Sequence, residues 1–454
     1  MQSARFLVND RGMNLVSRLL HLPTLAVGLF SLVTLAADSW DDFRGPQGNG
    51  HASTKTAVPL HWSGTENVRW KTAIPHLGHS SPVVRDGKVW LTTATEDGRA
   101  FYVYCLSSKT GEVLFQNKVF ASENPESLGN GKGANTYATP SPVLEDGRAY
   151  VHYGSFGTAC FDTRDFSLVW KRDDLRCRHY RGASSSPLLF RDLLILTFDG
   201  ADLQYTVGLN KNTGETVWKT ERSVEWNDEH VEQKMVQEGD WRKAHSTPII
   251  VEIDGKPQLF SVGAKAAYGY DAVNGRELWK VEFHNWSAAP RPVFHKNHFL
   301  FVTGFSRAEL WSLRAGGEGD VTESHVEWKI KNPIPKYASP LVVDDLLYIA
   351  AEESFLSCLD PKTGEVVWTE RVGGKFRSSP VYANGRIYFC NQSGETFVIK
   401  PGRTFELLAK NDLGLPDEPG RGRNHPPGIT ACPAVADGAF FLRTREAVYC
   451  IAED

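Results

Sequence analysis

The seven cysteines of this 454-residue chain are scattered singly, with no adjacent pair and no C-x-x-C or C-x-x-C-H. That spacing supports no redox dithiol, attached haem or zinc site. Local H-x-H and H-E-x-x-H spacings are missing, which argues against a metal centre built on one element, and no G-x-S-x-G marks a nucleophile. Charge of neither sign dominates: 50 Lys+Arg face 54 Asp+Glu for a net −4, and setting aside the +2 of the first 36 residues leaves −6. Nothing here argues for a nucleic-acid face. After residue 37 no apolar run approaches the roughly 18 residues a membrane span needs. What the chain has in quantity is 40 Gly, 24 Pro and 13 Trp in a composition 41% hydrophobic and 23% charged, which excludes a disordered, collagenous or coiled-coil protein.

Residues 1–37 carry Arg5, Arg11 and Arg18, then the apolar run 19–37, which ends in small residues before Asp38. This reads as a secretory signal peptide, with His21 and Pro23 favouring cleavage over retention as an anchor. No cysteine follows the run, so no lipid anchor is expected. The expectation is an exported protein, periplasmic or secreted, with no stable membrane anchor after cleavage.

The body of the chain is repetitive, and the repeat decides the fold. A small residue and a proline open an apolar strand eight times, as in SPVVRDGKVWL at Ser81, SPVLEDGRAYV at Ser141 and SPVYANGRIYF at Ser379. The copies include RPVFHKNHFLF at Arg291 and CPAVADGAFFL at Cys432, and the prolines are 82, 142, 187, 248, 292, 340, 380 and 433. A second element follows, clearest in CLSSKTGEVLF at Cys105, CFDTRDFSLVW at Cys160, GLNKNTGETVW at Gly208, GYDAVNGRELW at Gly269 and CLDPKTGEVVW at Cys358. Weaker forms end in Trp328 and in the stretch 397–407. Asp/Asn-x-x-Thr-Gly supplies a turn-forming side chain and a residue able to take positive φ, so this element reads as strand, tight turn, strand. Each repeat is then a four-stranded antiparallel meander. It cannot bury both faces alone, and radial stacking in a closed ring solves that problem.

The ends support closure. The eighth copy stops after its third strand at AVYCIAED, while NVRWKTAIP around Trp70 matches the outer strand TVWKTER around Trp218. The predicted fold is all-β: an eight-bladed β-propeller over 62–454, closed by the N-terminal strand completing the last blade, preceded by a lead segment at 38–61. Cys105, Cys160, Cys358 and Cys450 fall at one equivalent place in the repeat and read as core residues. Cys177, Cys390 and Cys432 are left over, and the odd total leaves at least one free thiol.

The element (C/G)-(L/Y/F)-D-x-x-T-G-x-x-x-W resembles the tryptophan-docking repeat of the PQQ-like propeller superfamily, which includes PQQ-dependent alcohol dehydrogenases and the outer-membrane assembly lipoprotein BamB. The opening WDDFRGPQGNG from Trp40 is similar to that of exported bacterial PQQ-like propellers. The resemblance implies that Trp70, Trp170, Trp218, Trp279, Trp328 and Trp368 are structural docking residues between blades. It also implies a second possibility, a quinone cofactor. In the quinoprotein dehydrogenases PQQ lies between a Trp and a vicinal disulfide, beside calcium held by Glu, Asn and Asp. This sequence departs from that pattern in having no Cys-Cys pair.

Three copies are long, with extra residues at 121–137, 221–244 and 411–428, all after an outer strand and before the next inner one. Such connections emerge on one face of a propeller, and loop insertions on a rigid scaffold are where function tends to reside. Counting three residues back from each repeat proline gives the strand entrances on that face: His79, Thr139, Ser184, His245, Ala289, Tyr337, Arg377 and Thr430. Candidate ligand-binding residues are His79, His245, Tyr337 and Arg377 from this ring, with Asn135, Tyr137, Arg181 and His425 from positions around it. Glu229, His230, Trp241 and Arg423 are further loop contributors, and the acidic run Glu229, Glu232, Glu238, Asp240 reads as a solvated loop or short helix. Histidines, arginines and tyrosine on one ring suit an anionic or polyhydroxy ligand. The expected function is a non-catalytic exported scaffold that binds a protein partner or a carbohydrate-like ligand on the loop-bearing face, with no cofactor and no metal. The alternative is an oxidoreductase, using PQQ with calcium, or a polysaccharide-active enzyme with its site at the mouth.

Overall fold

The computed structural model describes residues 38–53, 57–129, 135–227, 239–416 and 428–453. The segment read as a signal peptide lies outside them. The described chain forms eight antiparallel sheets. Blade 1 consists of Val83–Arg85, Lys88–Ala94, Ala100–Ser107 and Val113–Ala121, and the sheets starting at Val143, Leu188, Ile249, Val293, Leu341, Val381 and Ala434 are blades 2 to 8. The innermost strands of blades 8, 1 and 2 touch in succession, as do those of blades 5, 6 and 7. The predicted eight-bladed propeller is borne out, including its closure: Val68–Ala73 pairs antiparallel with Ala447–Ile451 as the outer strand of blade 8. Thr322–His325 is the one helix among the described residues.

The burial pattern follows from the stacking. Second and third strands are buried on both faces, as in Leu193–Asp199, whereas outer strands alternate, as in Thr216–Glu221, where only Trp218 is buried. The outer-strand tryptophans lie against the turn of the following blade. Trp170 Nε1 donates to Lys211 O at 2.8 Å and Trp70 Nε1 to Ser108 O at 2.9 Å. The turn glycine is required there for two reasons: Gly214 has φ of 77°, and a Cβ would stand 2.7 Å from the Trp170 ring. Trp328 and Trp368 repeat this arrangement on Pro361 O and Gly402 O.

Two blades depart from the pattern in informative ways. Trp279 bonds Gln258 of its own blade at 2.9 Å, and its strand gains a short parallel neighbour, Gly319–Asp320, because blade 5 lacks the Thr-Gly turn. In blade 1 the outer-strand position is Phe115, and in blade 2 the turn glycine is Phe166 at φ 61°. The two rings stack at 4.9 Å with planes 6° apart, so an aromatic pair replaces the Trp–Gly pair. All seven cysteines are free and buried.

The small residue before each repeat proline ties the inner strands together. Ser81 N donates to Ser141 Oγ, Ser141 N to Ser186 Oγ and Ser186 N to Thr247 Oγ1, each to the next blade. The series resumes from Arg291 N to Ser339 Oγ and closes through Ser379 and Cys432 back to Ser81. Its interruption falls where blade 5 presents Arg291 instead of a small side chain.

The lead segment crosses the channel inside this girdle. Trp40 pairs with Val84 of blade 1, and His51 pairs with Tyr382 of blade 7. Between them Arg44 donates to Pro340 O at 2.8 Å and to Pro380 O at 3.4 Å, while Asp42 meets Arg291. Arg44 and Arg291 are both almost wholly buried.

Candidate functional site

Above the strap the channel opens as a cavity of about 370 Å³. The innermost strands run inward from their prolines, so the third residue before each proline stands at the rim. All eight of those positions line this one cavity: His79, Thr139, Ser184, His245, Ala289, Tyr337, Arg377 and Thr430. Asn135 and Arg181 join them, and the girdle residues Ser141, Ser186, Thr247, Ser379 and Cys432 line it as well. Described residues of two of the long connections reach the cavity, through Asn135 and through Asp240 and Lys243.

The rim is cationic. Among the described residues Arg181, Lys243, Lys336 and Arg377 line it against one carboxylate, Asp240. Asp240 is not the solvated loop residue its sequence context suggests: it accepts from Arg181 Nη2 at 3.1 Å and pairs with Lys243 at the rim. Lys336 pairs with Glu353 just outside. Arg377 is 92% buried at its side chain, which is 8% exposed, and lies over the Tyr337 ring at 4.6 Å. Its Nη2 is 3.5 Å from Glu352 Oε1, and its Nε and Nη1 have no hydrogen-bond partner among the described residues.

Both rim histidines are neutral. Burial, with Arg443 and Arg377 nearby, pushes His79 down to about 3, and burial beside Lys243 does the same to His245. A neutral imidazole both donates and accepts, and His245 Nδ1 is buried without a partner. Arg443, buried behind His79 and bonded to Ser80 O at 2.8 Å, adds positive potential and is itself pulled down to about 9 by burial.

Asn135 spends its capacity on structure: its amide donates to Arg181 O and Ser184 Oγ, both at 2.8 Å, latching the first connection to blade 3. Tyr137 does not face the central cavity. Its hydroxyl donates to Glu126 O at 2.8 Å and its ring packs on Phe101 and Phe156, because the chain turns outward there before reaching the rim. Glu229, His230, Arg423 and His425 lie outside the described residues.

Sequence reasoning missed the aromatic part of the wall and the floor. Trp286 and Phe305 line the cavity from blade 5, and Phe43 of the strap lines its base. Trp286 packs on Trp241 with centroids 4.5 Å apart, and Trp241 faces a neighbouring cavity of about 910 Å³. Trp286 lies outside the counted rim position, and the lead segment follows no repeat, so neither carried a periodic signal.

The calcium of a quinoprotein site would require about six to eight oxygen ligands. Among the described residues the cavity offers one carboxylate, already held by two cations, and that donor set does not fit the ion.

No curated protein matches the chain. Among solved structures it is similar to BamB from Moraxella catarrhalis, at 12% identity and TM-score 0.55, covering 85% of this chain and 97% of that one. It is also similar to the quinohemoprotein alcohol dehydrogenase from Comamonas testosteroni, at 12% identity and TM-score 0.63, covering 92% and 81%. A europium-containing methanol dehydrogenase aligns at 11% identity and TM-score 0.53, covering 90% of each. At these identities the likeness concerns the fold alone. The family model described as outer membrane protein assembly factor BamB matches residues 62–316 and 267–400, and the chain therefore belongs to this family of PQQ-like β-propellers.

Proposed function

We propose that this protein is an exported, non-catalytic propeller scaffold that binds a protein partner or a glycan-like ligand at the mouth of its channel. The observation that carries this reading is the blind cup: the strap of residues 40–51 closes the channel below a rim of converging polar side chains. A cavity of about 370 Å³ falls in the volume range of small-ligand sites. Membership of a family described as an assembly factor supports a binding role. Export rests on the N-terminal reading, and no helix among the described residues is long and apolar enough to cross a membrane.

The oxidoreductase alternative draws support from the dehydrogenases of the same fold. The scarcity of carboxylates for calcium among the described lining residues and the lack of a vicinal cysteine pair argue against it.

Binding of glycan panels and candidate proteins to the wild type and to His245→Ala and Arg377→Ala tests the proposal. The expected result is one or more ligands lost in both variants at unchanged melting temperature. Ligands retained by both variants would overturn it, as would turnover of a bound saccharide or alcohol.

A further inference from the structure

Four residues from consecutive blades form one sector of the cup wall. Trp286 and Phe305 come from blade 5, Tyr337 from the rim of blade 6 and Arg377 from the rim of blade 7. Phe305 is 41% exposed and meets Tyr337 edge-on at 5.7 Å. We propose, resting on the reading above, that the ligand of the cup is a saccharide bearing one anionic group, a uronate carboxylate or a sulfate ester, held by Arg377 with its ring against Trp286.

The anionic group follows from Arg377. A guanidinium this buried with two nitrogens lacking acceptors is disfavoured unless something supplies them. Glu352, at 3.5 Å from the third, is too distant for a good hydrogen bond and leaves the other two open. A carboxylate or sulfate supplies several acceptor oxygens and forms the strong, charge-assisted type of bond. Tyr337 below the guanidinium holds it in place, so little ordering accompanies binding.

The saccharide part follows from what surrounds that group. An inorganic anion would use neither the indole face of Trp286 nor the ring of Phe305. The C–H face of a sugar packs on such aromatic surfaces, while its hydroxyls need partners that both donate and accept. His245, with its buried open Nδ1, and the hydroxyls of Ser184 and Thr430 on the same rim are of that kind.

Isothermal titration of the mature chain with tetragalacturonate, a sulfated galactotetraose and neutral maltotetraose tests this, alongside Arg377→Gln and Trp286→Ala. An anionic probe should bind at least about 30-fold tighter than the neutral one, a gap of roughly 2 kcal/mol. Arg377→Gln should erase that gap with melting unchanged, and Trp286→Ala should weaken whichever probe binds. Which anionic probe wins distinguishes carboxylate from sulfate. Equal binding of the neutral probe, or an anionic preference surviving Arg377→Gln, would overturn the inference; if Trp286→Ala still abolished binding, the mouth reading would stand. Failure of all three probes would also overturn it, and the mouth reading would then fall only if protein partners were retained by the mouth variants.

Discussion

Arg291 and Asp42 meet inside the channel with Nη2 3.3 Å from Oδ2, joining blade 5 to the lead segment. Arg291 also reaches Pro248 O at 3.2 Å and the Phe43 carbonyl, so one guanidinium holds the strap and the neighbouring blade together. The pair explains why the repeat departs from its small residue at this one arginine. The strap needs a cation within the girdle, and the girdle gives up one link to provide it.

Asp42→Ala leaves that guanidinium buried without its counter-charge and should lower stability by roughly 3 kcal/mol. Arg291→Ser restores a small residue at the interrupted link. The double variant should therefore lose less than the sum of the single losses, read as a coupling in urea titrations. Strict additivity would show that the two residues do not act as a unit.

Phe115 and Phe166 offer a test of blade docking. Phe115→Trp alone places an indole against a bulky turn residue and should destabilise. Adding Phe166→Gly recreates the Trp–Gly pair used by other blades and releases the left-handed strain at φ 61°. The double variant should melt above the Phe115→Trp single. If it melts below, the docking account of this pair is wrong.

Trp218 is 8% exposed and lies on both Gly208 of its own blade and Gly275 of the next. Trp218→Ala should lower stability by roughly 3–5 kcal/mol as a deletion of a packed aromatic. Unchanged melting would contradict a docking role for this residue.

The periodic parts of the molecule were legible in the sequence, because a repeat fixes equivalent places without fixing contacts. Counting from the prolines located one cavity-lining position in every blade, including Ala289 and Ser184, which have no chemical signature of their own. Contacts set by one-off geometry were not legible. Asp42 and Arg291 are 249 residues apart, Trp286 meets Trp241 through a connection that follows no repeat, and Tyr137 turns outward a short step from Thr139, which stays on the rim.

Four histidines make stability fall in mild acid. Burial lowers His79, His152 and His245 to about 3 and His179 to about 4, whereas in the unfolded chain each titrates near 6.5. Between those values the unfolded state binds more protons, so the stabilisation present above about pH 6.5 is lost as pH falls toward 4. Asp162, held below the carboxylate range by Arg164 and Arg148, adds a loss of the same sign only in stronger acid. Urea midpoints should be flat between about pH 7 and 8 and decline below about 6.5. The decline should shrink in His152→Gln, whose parent imidazole is 1% exposed and bonded to Thr158 Oγ1 at 2.8 Å. An unchanged slope in that variant would remove His152 from the account.

The central claim is that the cup binds a ligand and does not house a redox cofactor. The most direct test follows melting temperature and absorption of the mature protein on adding PQQ with Ca²⁺, and separately an anionic oligosaccharide. The account predicts a shift of several degrees with the oligosaccharide, by linkage, and neither a shift nor a quinone-like band with PQQ. A band between roughly 300 and 400 nm that stays with the protein, or stabilisation by PQQ and Ca²⁺ alone, would contradict it.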